Sequence, residues 1–173
     1  MHSASPWRIQ PIRKEHVRDS FDCGIDDLNV YLHKYARQSE SLGLARTFVA
    51  TRSGDLRVFG YYTVRSGEVE VENLRPEDAR RFPRYPVPVI HLARLAVDRS
   101  VQGQGLGERL LIDALERAYA ASRDVAAYAV EVVAIDDAAK RFYIKYGFQE
   151  LLDDKLHLYL PMRTIAALIE KPR

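Results

Sequence analysis

A glycine-rich turn is the part of the sequence best suited to bind a ligand. Gln102, Gly103, Gln104, Gly105, Leu106 and Gly107 lie between a predicted strand and a predicted helix. Three alternating glycines let the backbone turn tightly with its N–H groups exposed, and the first N–H groups of a helix favour an anion. The turn holds no Lys or Arg, so backbone groups must make most of the contacts. The spacing therefore predicts a phosphate-binding turn.

Two other interpretations compete for this turn. Its spacing is G-x-G-x-G, whereas a dinucleotide site has G-x-G-x-x-G, and no G-K-[ST] follows, so both common nucleotide motifs match poorly. The turn could also do no more than join a strand to a helix. The elements and motifs around the turn help to decide whether it binds phosphate or only connects the two elements.

The segments that flank the turn have clear hydrophobic patterns. Residues 89–98 form a mostly apolar run typical of a buried strand, and residues 105–122 predict an amphipathic helix. Further strands are predicted at residues 7–12, 45–53, 58–72, 128–134, 148–152 and 155–161, and further helices at 25–43, 137–146 and 164–169. Asp26 or Asp27 is expected to cap the first helix, and Ser53-Gly54-Asp55 suits a hairpin turn. This order favours a mixed α/β sheet flanked by helices over a purely parallel one.

Two blocks of the sequence resemble the GNAT family of acetyltransferases. The glycine turn is similar to the family's Q/R-x-x-G-x-G/A signature, and Ala138 to Phe148 is similar to its A-x-x-F-Y-x-x-x-G-F block. The resemblance implies the GNAT fold, with a central mixed, mostly antiparallel sheet, and acetyl-CoA as cosubstrate. It also implies that the turn amides hold the pyrophosphate while the backbone of Leu95, Ala96 and Val97 pairs with the pantetheine arm. Side chains on the second block complete the implied cofactor site: Ala139, Phe142 and Tyr146.

Looser likenesses extend to one branch of the family, the GNAT toxins of toxin–antitoxin pairs. They include residues 21–32, 45–50 and 156–165. This resemblance implies acetylation of the free α-amino group of aminoacyl-tRNA, which blocks translation, and neutralisation by a ribbon-helix-helix antitoxin. Family members often pair, so a homodimer is expected.

Tyr143 is the candidate proton donor for such a reaction. Acyl transfer needs a group that protonates the departing thiolate. A phenol has an ordinary pKa of about 10 and a thiol of about 8.5, so Tyr143 stays protonated and can donate. Its family counterpart has this role by resemblance. The alternative is a helix tyrosine that simply packs in the core.

A general base is less obvious. Glu131 lies in a strand, where a glutamate more often faces solvent or an arginine. His91 could serve as a base because the reference pKa of a histidine side chain is close to neutral pH, but a hydrogen-bonded core histidine is the preferred interpretation. An α-amine titrates at about 7.7 to 8.0 and an adjacent ester lowers its pKa, so aminoacyl-tRNA needs little base catalysis.

Arginines are the candidate acceptor contacts. Arg94 interrupts an apolar strand and is expected either to line the acceptor side of the site or to form a structural salt bridge. The stretch that holds Arg80, Arg81, Arg84 and Tyr85 could contact RNA phosphates. It could equally be a solvated helix face that includes Glu77 and Asp78.

Length and composition bear on the number of domains, the class of partner, metal binding and the location of the protein. The 173 residues suit one domain, expected to span 1–173, and a net charge of +2 neither requires nor excludes an anionic partner. Cys23 is the single cysteine and is expected to be structural. The histidines have no metal-ligand spacing, so no metal is expected. The sequence shows no apolar run of membrane-spanning length and no secretory signal, which favours the cytoplasm.

The leading hypothesis is therefore an aminoacyl-tRNA N-acetyltransferase toxin. The alternatives are a GNAT enzyme that acts on a small amine or a protein N-terminus, and a non-catalytic module that binds coenzyme A or an antitoxin. The sequence does not identify the amino acid or the tRNA.

Overall fold

The computed structural model describes residues 5–170. Strands and helices follow each other in the predicted order. The strands are β1 (Trp7–Pro11), β2 (Arg46–Arg52), β3 (Gly60–Val69), β4 (Val87–Val97), β5 (Ala129–Val133), β6 (Gln149–Glu150) and β7 (His157–Pro161). The α-helices are α1 (Asp26–Val30), α2 (Ala36–Ser41), α3 (Pro76–Ala79), α4 (Leu106–Ala121), α5 (Asp137–Lys145) and α6 (Met162–Glu170).

The strands form one mixed sheet in the order β1-β2-β3-β4-β5-β7-β6. The pairs β1–β2, β2–β3, β5–β7 and β6–β7 are antiparallel, whereas β4 and β5 are parallel. The predicted mixed, mostly antiparallel sheet is therefore confirmed. The crossover between the parallel neighbours β4 and β5 is the segment that contains α4.

The described chain divides into two compact units. The first comprises the described residues up to Arg65 together with Ala93–Ala114. Its β2–β3 connection turns at Gly54, which has φ +80°, as the hairpin prediction requires. Its core buries apolar side chains of the amino-terminal segments against the sheet, among them Phe21, Leu32, Val49, Tyr61 and Ala96.

The predicted first helix is interrupted in this unit. Between α1 and α2, Tyr31–Tyr35 forms a π-helical turn. The capping prediction was wrong, because Ile25 occupies the N-cap position and forms no side-chain cap, while Asp26 and Asp27 lie inside the first turn. There the two carboxylates still favour the helix by facing the positive end of its dipole.

The second unit comprises Ser66–Leu92 and the described residues from Leu115 onward. It contains the parallel register of β4 with β5 and the antiparallel register of β5 with β7. Its core packs Val89, Ala129 and Tyr159 against Leu74 and Leu151. Nothing in this arrangement tests the expectation of one domain over 1–173, which stays a prediction. Within residues 5–170, no helix is long and apolar enough to cross a membrane.

Candidate functional site

The glycine turn of the first unit presents a row of backbone donors. Gly103 and Gly105 have φ of +80° and +85°, in the left-handed region that favours glycine. No heavy atom lies within 4 Å of where a Cβ would stand on either residue. Among the described residues, no protein group accepts a hydrogen bond from the N–H groups of residues 103–108. The turn is therefore open and rich in unpaired donors, as a phosphate site requires.

Gln102 holds this turn in place. Its side-chain Nε2 donates to the carbonyl oxygens of Cys23 at 3.1 Å and Val97 at 2.9 Å. Leu106, the first residue of α4, is buried to 1% exposure and packs with Leu110 beside Gly60. The side chains of Gln102 and Leu106 thus contact other parts of the protein, and the backbone groups of these two residues remain available to a ligand.

The carboxyl end of β4 leads into the glycine turn through a short 3-10 turn at Arg99–Val101. Its register with β5 covers Val89 to Leu92, and β4 then continues to Val97. The backbone of Leu95, Ala96 and Val97 lies outside that ladder, although the Val97 carbonyl accepts from Gln102. Such a strand segment can pair with an extended ligand as an added strand would.

Tyr143, on α5 in the second unit, combines a buried ring with an unpaired hydroxyl. The side chain is 7% exposed, and its ring packs against Phe142 and Phe148 at centroid distances of 5.3 and 5.4 Å. Burial raises the pKa of Tyr143 above its ordinary value. Within the described chain, no hydrogen bond engages the hydroxyl, yet it is not among the fully buried polar atoms that lack a partner. The hydroxyl therefore stays protonated and, although the side chain is buried, the oxygen is not completely enclosed and has no competing partner in the described chain.

Most of the second predicted block lies on the same helix, and Tyr146 follows the helix as its C-cap residue. Asp136 caps α5 by accepting from the N–H of Ala139 at 2.8 Å. Phe142 and Tyr146 are half-buried and meet edge to face at 5.3 Å. Phe142 thus packs against both Tyr143 and Tyr146.

His91 and Glu131 lie side by side on β4 and β5. His91 is hydrogen-bonded as predicted, through Nδ1 to Glu131, but it is half-buried and not a core residue. The expectation that Glu131 faces solvent or an arginine was wrong, because Glu131 is 8% exposed and bonds to His91 and His157. Strand register produces this cluster, and no local pattern of the sequence contains it.

Arg94 lies over an aromatic ring. Its Cζ stands 3.6 Å from the ring centroid of Tyr31, in the π-helical turn of the first unit. No carboxylate of residues 5–170 forms an ion pair with Arg94, so the salt-bridge alternative finds no partner there. A half-buried guanidinium held by a cation–π contact keeps its N–H donors available.

The basic segment around α3 is exposed. Arg80, Arg81 and Arg84 are all accessible to solvent and form no ion pair within the described chain. Tyr85 is 71% exposed and, with Phe82, lines a cavity of about 510 Å³.

The alternative interpretation, a solvated helix face that includes Asp78, is wrong for this residue. Asp78 is 6% exposed and accepts from Tyr159 at 2.5 Å and Arg163 at 2.6 Å. This anchor ties α3 to β7 and α6, and it leaves the arginines as the dominant exposed charge of the segment.

Cys23 is buried, and burial raises the pKa of its thiol, which agrees with the predicted structural role. Across residues 5–170, no three His, Cys, Asp or Glu side chains are placed to hold a metal ion.

The sequence and fold of this chain match known proteins. Residues 44–150 match the acetyltransferase (GNAT) domain family. A tRNA-acetylating toxin of Mycobacterium tuberculosis is 43% identical over 150 residues, which cover 87% of this chain and 89% of the relative.

Solved structures give the same result for the fold. AtaT complexed with acetyl-methionyl-tRNAfMet is 28% identical with a TM-score of 0.88, covering 94% of this chain and 99% of that one. A tyrosine-to-phenylalanine mutant of AtaT bound to the C-terminus of the antitoxin AtaR and to acetyl-CoA is 27% identical, with a TM-score of 0.82 and coverage of 96% and 100%.

Proposed function

Because this chain belongs to the GNAT family of acetyltransferases, we propose that it transfers acetyl from acetyl-CoA to the α-amino group of aminoacyl-tRNA and so acts as a translation-blocking toxin. The observation that carries the proposal is the open turn before α4, whose N–H groups at residues 103–108 have no acceptor in the described chain. The tRNA-acetylating relative from Mycobacterium tuberculosis supports the substrate class.

The turn fits the pyrophosphate of acetyl-CoA. Unpaired N–H groups at the start of a helix bind an anion without help from Lys or Arg. Leu95, Ala96 and Val97 provide backbone groups for the pantetheine arm, as a strand edge does. The proposed side-chain contacts are the half-buried Ala139 and Phe142 on α5 and Tyr146 at its C-cap.

Tyr143 donates the proton that the leaving thiolate needs. Acetyl-CoA supplies the activated acyl group, and the protein has to protonate sulfur as the carbon–sulfur bond breaks. A phenol whose pKa is raised by burial remains protonated at neutral pH, and its hydroxyl has no competing partner in the described chain. Removal of this single oxygen is therefore expected to slow transfer while leaving acetyl-CoA binding intact.

The exposed arginines are the proposed tRNA contacts. Arg80, Arg81 and Arg84 each offer a positive charge to the phosphate backbone, and Tyr85 adds an exposed ring on which an unpaired base can stack. Arg94 is proposed to contact the acceptor, through the guanidinium edge that its stacking on Tyr31 leaves uncovered.

The proposed partners follow from the same assignment. A ribbon-helix-helix antitoxin is expected to neutralise the protein, and the solved AtaT complex with the C-terminus of AtaR supports a partner of the antitoxin class. A homodimer is proposed as well, which light scattering of the purified protein tests. The site of action is the cytoplasm, where charged tRNA is found.

Substrate competition tests the proposed function. Purified protein is given labelled acetyl-CoA with charged tRNA, the same tRNA after deacylation, small amines, or peptides with free N-termini. Label on charged tRNA alone, lost when salt is raised, supports the proposal. Label on small amines or peptides in place of charged tRNA supports the alternative enzyme, and acetyl-CoA binding without transfer to any acceptor supports the non-catalytic module.

A further inference from the structure

Four polar side chains of the second unit form a continuous hydrogen-bonded row. Asp153 accepts from Nδ1 of His157 at 2.9 Å. His157 contacts one carboxylate oxygen of Glu131 through Nε2, and His91 contacts the other through Nδ1. The side chains of Asp153, His157, Glu131 and His91 are 38%, 17%, 10% and 27% exposed, so the row is most buried at Glu131 and approaches the surface at both ends.

Glu131 determines which nitrogen of His91 carries the proton. Burial alone would raise the pKa of Glu131, but the hydrogen bonds from His157 and His91 outweigh it and lower the pKa to about 2. An ionised carboxylate can only accept, so neutral His91 must hold its proton on Nδ1. The lone pair of His91 is then on Nε2.

His157 balances the charge of Glu131. The hydrogen bond to Glu131 raises the pKa of His157 to about 8, against an opposing effect of burial and with further help from Asp153. His157 is therefore cationic at neutral pH and donates from both ring nitrogens. The positive charge of His157 offsets the negative charge of Glu131. The second carboxylate oxygen of Glu131 can then accept from His91 and orient its ring.

The outer nitrogen of His91 is available. In the described chain, Nε2 has no hydrogen-bond partner, and it is not among the fully buried polar atoms. On the neighbouring strand β3 stands Gly67, where a Cβ would lie 3.4 Å from the Cβ of His91. Gly67 brings neither a charge nor a side chain to this position, and the charged group that is hydrogen-bonded to His91 is Glu131.

From this geometry we propose that His91 is the general base that takes a proton from the acceptor amine, and that Glu131 is its positioning residue. A base oriented by a carboxylate on its far nitrogen is a recurring catalytic arrangement. This inference rests on the proposed acetyl transfer and adds to it the group that prepares the amine.

Two protein groups, His91 and Tyr143, account for the proton transfers of the reaction. His91 Nε2 takes one proton from the ammonium form of the acceptor, and the freed lone pair bonds to the thioester carbon. As the carbon–sulfur bond breaks, its electron pair goes to sulfur, which receives the Tyr143 proton. The nitrogen loses its second proton, which restores Tyr143 through solvent, and His91 releases the first. The products are the N-acetyl amide, coenzyme A thiol and one proton.

The kinetic test compares His91→Gln with Glu116→Gln, a change at an exposed residue of α4. For His91→Gln, kcat should fall about 100-fold at pH 6.5, at the low end of the range for general base catalysis, and by less than about tenfold at pH 8.5, where the amine is already neutral. KM for acetyl-CoA should not change, and Glu116→Gln should match the wild type. Equal kcat for His91→Gln and the wild type at both pH values would overturn the inference.

Nitrogen-15 NMR of the histidine rings tests the same inference without turnover. Neutral His91 should show a protonated Nδ1 and an unprotonated Nε2, and Glu131→Gln should shift it toward the opposite tautomer. A proton on Nε2 of the wild type would overturn the proposal. If the wild type acetylates small amines and leaves charged tRNA untouched, the proposed substrate fails while the His91→Gln ratio, measured on those amines, still decides the role of His91.

Discussion

A glycine-to-alanine change in the turn separates its ligand role from its structural role. Gly103 has φ +80° and no heavy atom within 4 Å of where an alanine methyl would stand, so Gly103→Ala creates no clash. Its cost is the left-handed conformation, roughly 1–2 kcal/mol for a non-glycine residue. Gly54 has the same φ and the same empty surroundings in the β2–β3 turn. Gly54→Ala is therefore a matched control.

The two variants should lose equal stability and differ in cofactor binding. Each is expected to lower the midpoint of thermal unfolding by roughly 2–8 °C, since 1 kcal/mol corresponds to about 2–4 °C in a chain of this length. Only Gly103→Ala should weaken acetyl-CoA binding, by about tenfold, because relaxation of its backbone turns N–H groups away from the phosphates at a cost of about 1.4 kcal/mol. Differential scanning fluorimetry and calorimetric titration give the two quantities. Equal acetyl-CoA affinity of both variants would refute the proposed amide cradle.

The remaining predictions concern charged side chains. The pKa of His157 is raised to about 8, so its stabilisation is complete below pH 6.5 and is lost as pH rises through 8. Urea unfolding of the wild type, but not of His157→Gln, should therefore lose up to about 2 kcal/mol over that interval. Replacing Arg80, Arg81 and Arg84 together by Gln should lower the slope of log Kd for tRNA against log salt by up to about 2, with acetyl-CoA affinity unchanged. An unchanged slope would remove these arginines from the tRNA contact.

Much of the fold could be predicted because it depends on local periodicity. The strands, the amphipathic α4, and glycines such as Gly54 and Gly147 at turns follow from residue patterns that neighbours in the chain determine. The GNAT resemblance, taken from two blocks of the sequence, is confirmed by the family match over residues 44–150. The π-helical turn at Tyr31–Tyr35 was missed because it depends on tertiary packing of an otherwise ordinary helical segment.

The site was only partly predictable, because some of its features depend on local sequence and others on contacts between distant residues. Backbone features such as the turn at Gly103 and Gly105 follow from glycine spacing, so they were visible in the sequence. The bonds of Glu131 depend on strand register, which places His91 beside it and His157 one strand away. Register is a property of paired strands, and a single sequence holds no local signal for it. The burial of Asp78, on helix α3, was hidden because it depends on a tertiary contact with Tyr159, which lies far along the chain.

Acetyl transfer to charged tRNA by the wild type and by Tyr143→Phe is the most direct test of the central claim. Both proteins should bind acetyl-CoA equally, because the lost hydroxyl has no partner in the described chain whose removal would disturb the fold. The wild type should place labelled acetyl on the α-amine of the aminoacyl group, and Tyr143→Phe should do so at least about 100 times more slowly. Equal rates for the two proteins would contradict the role of Tyr143, and the absence of label from charged tRNA with the wild type would contradict the proposed function.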